Sequence, residues 1–169
     1  MSNPEENSSK ESRSGHPPTI EGHALLSIDQ LQRVIDANPY GCWMQLSAHA
    51  VSDTSIELRV PGRQEFLGTQ ALQRLHGGVL SSLMDVACGY AVLAHGGLGV
   101  STIALHIDYH RAASPGELRI EGRVVHLGER ICTAEAFIRD DTGTLLASGR
   151  CTIYKSREIH PALSPSLTT

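Results

Sequence analysis

The stretch that most constrains this chain is a His-Gly-Gly sequence followed by a long apolar run. The run starts at His76 and continues to Ala94, and Asp85 is its only carboxylate. Apolar side chains recur at helical spacing on nearly all sides of it, a pattern typical of a buried central helix. We therefore predict a helix over Gly77–Ala94, ended by the His95-Gly96-Gly97 sequence.

The start of this predicted helix has the properties of an oxyanion site. The first turn of a helix carries free backbone N–H groups and the positive end of the helix dipole, and both stabilise a developing negative charge. Gly77 and Gly78 have no side chains that would keep a substrate away from this backbone. Asp85 lies about two turns further along, where a buried carboxylate is costly unless it is hydrogen-bonded or used. Together these features favour acyl transfer; the alternative is a structural acid bonded to a neighbouring group.

The other segments alternate apolar and polar residues, as strands do. A short helix over 27–38 comes first, followed by one strand at Ser55–Val60. After the central helix, strands are predicted at 101–110, 117–127, 130–139 and 144–154, with a hairpin turn at 140–143. In the first of these, the alternation puts Ile103, Leu105, Ile107 and Tyr109 on one face. This order predicts an α+β fold in which an antiparallel sheet curls around one helix.

Composition sets the boundaries and the class of the chain. Of its 169 residues, the first 22 are rich in Ser, Glu, Pro and Asn and predict a disordered tail. We expect one domain over 23–155 and a flexible tail over 156–169. The net charge of −4 argues against nucleic-acid binding, and we find neither a signal peptide nor a membrane span. The four cysteines form no C-x-x-C pair, so we expect buried free thiols and a cytoplasmic protein.

Several motifs in this order resemble the hotdog-fold acyl-CoA thioesterases of the phenylacetate-degradation (PaaI-like) and 4-hydroxybenzoyl-CoA thioesterase type. The resemblance spans roughly 38–154. It rests on His76-Gly77-Gly78 with Asp85 nine residues after the histidine, Gly99-Val100-Ser101, His110-Arg111-Ala112-Ala113 before Pro115-Gly116, Asp141-Thr142-Gly143 and Thr152-Ile153-Tyr154. It implies a hotdog fold, an antiparallel sheet wrapped around one long central helix. It also implies hydrolysis of an acyl-CoA to free acid and CoA, without a metal or cofactor.

The resemblance also implies roles for individual residues. Asp85 would be the nucleophile or the general base, and the Gly77 N–H would polarise the thioester carbonyl. Gln70 stands six residues before the histidine, where relatives carry an Asn or Gln that contacts the substrate or orients water. Ser101 matches a serine that holds water in some relatives. Gly89 stands where some relatives carry Thr or Ser, so this position supplies no hydroxyl here.

The helix-start histidine and the cations are further candidates. For His76 we favour a role in fixing the loop before the helix over substrate positioning and over acid–base catalysis. Gly78 is expected to contact the substrate. Arg111 and Arg130 are candidates for the CoA phosphates, since guanidinium forks match phosphate oxygens, and solvated surface charge is the alternative.

Two features have a structural and a functional interpretation. Tyr40, Trp43 and Met44 either line the acyl pocket or belong to the core. His106, Asp108 and His110 alternate onto one face of a strand, which could suggest a metal site. Such a site needs a further well-placed ligand and a closed shell, so we expect no metal and place this face in solvent or at a subunit contact.

Hotdog relatives imply an assembly and two other activities. We expect a homodimer whose sheets join, and then a homotetramer, in which Asp85 faces Gly77 of the partner subunit. A non-catalytic acyl-CoA-binding hotdog module and a hotdog hydratase acting on enoyl or hydroxyacyl thioesters are the alternatives to a thioesterase. The hydratases use a catalytic histidine paired with an acid, and the spacing of His76 and Asp85 fits them less well.

Overall fold

The computed structural model describes residues 25–164, so the predicted tail at 1–22 lies outside this range. Two short helices, α1 (Ile28–Asp36) and α2 (Pro39–Met44), precede the long helix α3 (Gly77–Ala94). The strands are β1 (Ser47–Val51), β2 (Ser55–Val60), β3 (Leu67–Thr69), β4 (Arg74–Leu75), β5 (Leu98–Tyr109), β6 (Leu118–Leu127), β7 (Ile131–Arg139) and β8 (Leu145–Ile159). Short 3-10 turns cover Gln64–Phe66, Gln70–Leu72 and Pro161–Leu163. The sequence predicted α1, α3, β2 and the four strands after α3, and it missed α2, β1 and the β3–β4 pair.

Six strands form one antiparallel sheet in the order β1-β2-β6-β7-β8-β5, so β5 is an edge strand. β3 and β4 pair with each other in a separate two-stranded sheet. α3 packs against β2, β5, β6, β7 and β8. A sheet wrapped around one long helix confirms the predicted α+β hotdog fold.

The sequence predicted the bounds of α3 correctly, and the packing of the helix explains its apolar pattern. Its second half, from Ala87 to Ala94, is buried. Glycines on the sheet allow this close contact. A Cβ at Gly122 would lie 2.4 Å from the Ala87 carbonyl oxygen, and one at Gly149 would lie 3.1 Å from the Met84 side chain. A side chain at Gly122 would therefore force the helix away from the sheet.

By length and composition, α3 is also apolar enough to cross a membrane, which the sequence analysis did not expect. In this fold 61% of the helix is buried inside the chain. That degree of burial is typical of the core helix of a globular domain.

The ordered domain extends past the expected end at 155. β8 continues to Ile159, which pairs with the beginning of β5. The His160 N–H then donates to the Gly97 carbonyl oxygen at 2.7 Å, and Leu163 packs against the core. Residues 156–163 are ordered because they form backbone hydrogen bonds to the rest of the chain and because Leu163 packs against the core. The polar composition of this segment did not indicate these contacts.

The residues of β8 define two faces of the sheet. Cys151 and Ile153 are fully buried on the face that contacts α3. Gly149 belongs to the same face, because a Cβ there would point at Met84 of α3. Side chains alternate along a strand, so Arg150 and Tyr154 belong to the outer face. Partners on neighbouring strands share the face of the β8 residue that they oppose.

All four cysteines are free thiols, and three of them are buried as expected: Cys88, Cys132 and Cys151. The expectation was wrong for Cys42, which is exposed. Its position on α2 explains the difference, because only one side of this short helix faces the core.

Candidate active site

His76 caps the start of α3. Its Nδ1 accepts a hydrogen bond from the Gly78 N–H at 2.8 Å, and its carbonyl oxygen accepts one from the Val79 N–H at 3.0 Å. An accepting Nδ1 carries no proton, so the geometry assigns the Nε2–H tautomer. This is the helix-start role that the sequence favoured for His76. Because the Gly78 N–H is already used, it has no free donor for a substrate.

Gly77 keeps a free donor at the same helix start. Within residues 25–164, its N–H donates no hydrogen bond to another group of the chain. A Cβ on Gly77 would only meet the Tyr109 ring, at 3.5 Å. Leu75, Gly77, Leu80 and residues 109–113 line a cleft of about 260 Å³. This cleft places an unpartnered backbone N–H where a substrate could reach it.

Asp85 lies on the side of α3 that also carries Gly78 and Ser82, since residues three and four apart share a helix face. It is half-buried rather than buried, which corrects the expectation from the apolar run. The side-chain hydrogen bonds found in the first half of α3 involve His76, Ser81 and Ser82, and in the described chain none reaches the Asp85 carboxylate. Its oxygens are therefore available to a substrate or a water molecule.

The thiol one turn beyond Asp85 is not a candidate nucleophile. Cys88 is fully buried. A hydrogen bond with Cys151 raises its pKa most, burial raises it further, and the negative charge of Asp85 adds to the effect. Thiolates are the nucleophilic form of cysteine, so this environment keeps Cys88 inert.

Gln70 lies at the exposed tip between β3 and β4, in the 3-10 turn Gln70–Leu72. β3 runs beside the helix cap, and a Cβ on Gly68 would lie 3.0 Å from the His76 Cα. This contact is made by Gly68, whereas Gln70 lies further along the hairpin, beyond the Thr69–Arg74 pair. Its side chain points to no hydrogen-bond partner within the described residues.

Ser101 does not face α3. It pairs with Tyr154, so its side chain belongs to the outer face of the sheet. The register shifts between Thr102 and Ala104, where β5 contains an irregularity of the β-bulge type. Thr102 pairs with Ile153, so it is Thr102, and not Ser101, whose hydroxyl side chain lies on the helix-side face. The extra residue also leaves Ile103 58% exposed, although alternation predicted it on the buried face.

The two candidate arginines lie on different sides of the sheet. Arg111 is exposed and lines the cleft that contains Gly77. The Arg130 guanidinium lies 5.0 Å from the centre of the Tyr154 ring, and its Nη1 is buried with no hydrogen-bond partner among the described residues. Only Arg111 is therefore brought to the start of α3.

An aromatic cluster lies beside the same helix face; the sequence offered Tyr40 and Trp43 as pocket residues but did not indicate Phe66 or the contact with Ser82. The rings of Tyr40 and Trp43 stack at 5.7 Å, and Trp43 meets Phe66 edge-on at 5.8 Å. The Tyr40 hydroxyl donates to the Ser82 hydroxyl at 2.9 Å, one turn before Asp85. Tyr40 and Trp43 are each 46% exposed, whereas Met44 is buried in the core. Tyr40 and Trp43 lie on α2, and a helix of only six residues is too short to show a helical pattern in the sequence.

His106 and Asp108 point away from the helix. They lie on the outer face and line a hollow of about 370 Å³ together with residues of β7 and β8. His110 forms a 2.8 Å hydrogen bond with the Ser148 hydroxyl. Among residues 25–164, no group of three or more His, Cys, Asp or Glu side chains is arranged to hold a metal ion.

Comparisons with known proteins identify the family. A family model described as the thioesterase superfamily matches residues 72–147. A solved structure of a thioesterase-superfamily protein is 38% identical, with a TM-score of 0.73, and the match covers 77% of this chain and 98% of that one. This chain belongs to the thioesterase superfamily.

Two further relatives of this thioesterase-superfamily chain extend the comparison. A candidate esterase of Archaeoglobus fulgidus is 34% identical over 90 residues, which are 53% of this chain and 58% of that protein's length. A hypothetical thioesterase of Streptococcus pneumoniae, crystallised with coenzyme A, is 22% identical with a TM-score of 0.62. That match covers 68% of this chain and 88% of the other, and at this identity it supports the fold alone.

Proposed function

We propose that this chain hydrolyses an acyl-CoA thioester to a free acid and CoA. The observation that carries the proposal is the N–H of Gly77, a residue that lines the cleft, on the helix that also carries Asp85; within residues 25–164 neither this N–H nor the Asp85 carboxylate has a hydrogen-bond partner. Membership of the thioesterase superfamily supports a thioester hydrolase. CoA as the thiol part is our proposal, in line with a protein of the same fold that was crystallised with coenzyme A.

Two groups are sufficient for this chemistry because a thioester is already electrophilic. The Gly77 N–H and the dipole of α3 stabilise the negative charge that develops on the carbonyl oxygen. Asp85 either attacks the carbonyl carbon or removes a proton from an attacking water molecule. Both routes consume one water and release one acid and one thiol.

The distance between the two groups favours a site that is shared by two copies of the chain. Gly77 and Asp85 are eight residues apart on α3, which corresponds to about 12 Å along the axis. The carbon and oxygen of one carbonyl are about a tenth of that distance apart. We therefore propose a homodimer in which Asp85 of one chain works with Gly77 of the other. The edge strand β5, which exposes Ile103 and Tyr109, is the proposed contact, and further pairing would give a tetramer.

The surroundings suggest where the two ends of the substrate lie. The half-exposed rings of Tyr40 and Trp43 offer an apolar surface for the acyl group next to the Asp85 face. Arg111 lines the cleft at Gly77, and among residues 25–164 its side chain has no ion pair or hydrogen bond, so it is available to a CoA phosphate. Arg130 would contact CoA only from the outer face, so we assign the phosphates to Arg111 first.

The test is thiol release from a panel of aryl-, arylacetyl- and C4 to C16 acyl-CoAs. We expect release by the wild-type chain and a loss of about 100-fold or more in Asp85→Asn, in the range found for removed general bases. Asp29→Asn, which changes an exposed carboxylate on α1, is the matched control and should leave the rate unchanged. Tight acyl-CoA binding without thiol release would instead indicate a binding module, and a change in enoyl-CoA absorbance without thiol release would indicate a hydratase.

A further inference from the structure

Two tyrosine–serine pairs surround the glycines at the start of α3. Tyr109 of β5 reaches the Gly77 carbonyl oxygen at 3.2 Å, and Ser81 reaches the same oxygen at 3.3 Å. The Tyr109 and Ser81 hydroxyls also contact each other. Two hydroxyl protons serve these three contacts, so one proton goes to the carbonyl and the other lies between the hydroxyls.

The second pair holds the next carbonyl. The Ser82 hydroxyl donates to the Gly78 carbonyl oxygen at 2.9 Å. The Tyr40 hydroxyl of α2 donates in turn to the Ser82 oxygen, also at 2.9 Å. A serine bonded to a carbonyl four residues earlier is common in helices. Here each of two consecutive serines is itself engaged by a tyrosine from another element.

These contacts fix two complete peptide units. In the unit between Gly77 and Gly78, the oxygen meets the Tyr109–Ser81 pair and the N–H is held by His76 Nδ1. In the unit between Gly78 and Val79, the oxygen meets Ser82 and the N–H is held by the His76 carbonyl. The adjacent unit carries the free Gly77 N–H. Two glycines in series would otherwise give this first turn more backbone freedom than any other pair of residues.

We propose that Tyr109 and Tyr40, acting through Ser81 and Ser82, are positioning residues that keep the Gly77 N–H aimed into the cleft. This inference rests on the proposed function, in which that N–H is the oxyanion donor. A donor contributes to catalysis to the extent that it is already oriented when charge develops on the substrate. None of the four hydroxyls needs to touch the substrate for this effect.

The experiment compares single hydroxyl deletions by steady-state kinetics and by hydrogen exchange. We expect Tyr109→Phe and Ser81→Ala each to lower kcat about tenfold while KM changes less than about twofold, which is part of the 10²–10³ effect of losing a whole donor. Tyr40→Phe should lower kcat about threefold, since it acts through one more bond. Ser81→Thr retains a hydroxyl at the same position and should restore kcat. Tyr90→Phe is the control, because within residues 25–164 its hydroxyl has one hydrogen-bond partner, the Asn38 side-chain amide at 3.4 Å, beside the far half of α3.

Amide exchange separates this inference from the proposed function. The Gly78 and Val79 amides should exchange faster in Tyr109→Phe and Ser81→Ala than in the wild type and in Tyr90→Phe, whether or not a substrate is known. Faster exchange together with lower kcat supports the inference. Unchanged exchange overturns it, as does an unchanged kcat with faster exchange. If the wild-type chain releases no thiol from any acyl-CoA, the proposed function fails, and with it the catalytic part of this inference; the exchange result then decides only whether the hydroxyls hold the turn.

Discussion

Gly77 and Gly78 are neighbours that lack a side chain for different reasons. A Cβ on Gly78 would lie 2.8 Å from His76 Nδ1, so this position must stay small for the histidine to cap the helix. A Cβ on Gly77 would make only ordinary contact with Tyr109. The histidine cap therefore requires glycine at 78, whereas Gly77 lines the cleft, where an open backbone suits an approaching substrate.

The role of His76 can be tested by a change that keeps the cap. Asparagine is among the best helix-capping residues, so His76→Asn should retain both stability and most of the activity. His76→Ala removes the acceptor and should lower the free energy of unfolding by about 1 kcal/mol, together with kcat. Urea unfolding and thiol release measured on both variants check this. If the asparagine variant were as inactive as Asp85→Asn, His76 would be transferring a proton.

The hydroxyl on the helix side of β5 is a second test at the residue scale. The resemblance predicted a water-holding hydroxyl at Ser101, whereas the bulge leaves Ser101 on the outer face and Thr102 on the helix side. Thr102→Val keeps the shape of the side chain and should lower kcat about tenfold if the hydroxyl orients the attacking water. Ser101→Ala should leave the thiol-release rate unchanged. If instead Ser101→Ala lowered kcat and Thr102→Val did not, the functional hydroxyl would be that of Ser101 on the outer face.

At the scale of elements, strong periodicity was predictable and single-residue irregularities were not. The bounds of α3 were predictable because its apolar residues recur at helical spacing and glycines stand at both ends of that pattern. The turn at 140–143 was located because Asp140 and Gly143 have the residue types that such a turn requires, and Gly143 has φ of 85°. β1 was missed because it is largely exposed and shows no clear alternation.

The same limit explains the candidate site. His76, Gly77 and Asp85 could be proposed from local sequence, since all three belong to one helix and its cap. The outward position of Ser101 could not be predicted. One extra residue at the bulge in β5 moves each preceding side chain to the opposite face of the sheet, and alternation alone does not reveal a bulge. The contacts of Tyr40 and Tyr109 with α3 join distant parts of the chain, so no local pattern could indicate them.

The last 3-10 turn should make stability depend on pH. Burial lowers the pKa of His160, and its Nδ1 accepts the Ala162 N–H at 3.3 Å in the folded chain. As pH falls below the ordinary histidine pKa of about 6.5, the unfolded chain takes up this proton first, so stability is lost. Above that pH the contribution is fully present.

The check is urea unfolding at pH 7.5 and 5.5 for the wild type and His160→Asn. Asparagine can cap the turn but does not titrate, so the wild type should lose more stability than the variant between the two pH values. Comparing the two proteins removes the contributions of the other eight histidines from the result. Equal losses would show that His160 does not titrate in this range.

At the scale of the whole molecule, the proposed site would be divided between two chains. The Gly77 N–H lies at the start of α3, and Asp85 lies about two turns further along the same helix. In the described part of the chain, the outer edge of β5 has unpaired backbone groups beside exposed apolar side chains, an arrangement that favours pairing with another strand. Pairing two chains about a twofold axis would supply each part of the site with the missing partner.

Mixing two inactive variants tests this arrangement directly. Gly77→Pro removes the proposed donor at a position where proline suits the fold, because proline is favoured at the first residue of a helix. His76 also has the extended conformation, with φ of −71° and ψ of 134°, that a residue before proline prefers. Asp85→Asn removes the carboxylate. Each variant alone should release little thiol.

After co-refolding at equal amounts, half of the dimers contain one chain of each variant. A site that combines Asp85 of one chain with Gly77 of the other is then intact once in every mixed dimer, so about a quarter of the wild-type activity should return. A site formed within one chain would carry one defect in every copy, and the mixture would stay as inactive as its components. Mixing Asp85→Asn with a second inactive variant of the same residue, Asp85→Ala, is the control that should recover nothing under either arrangement.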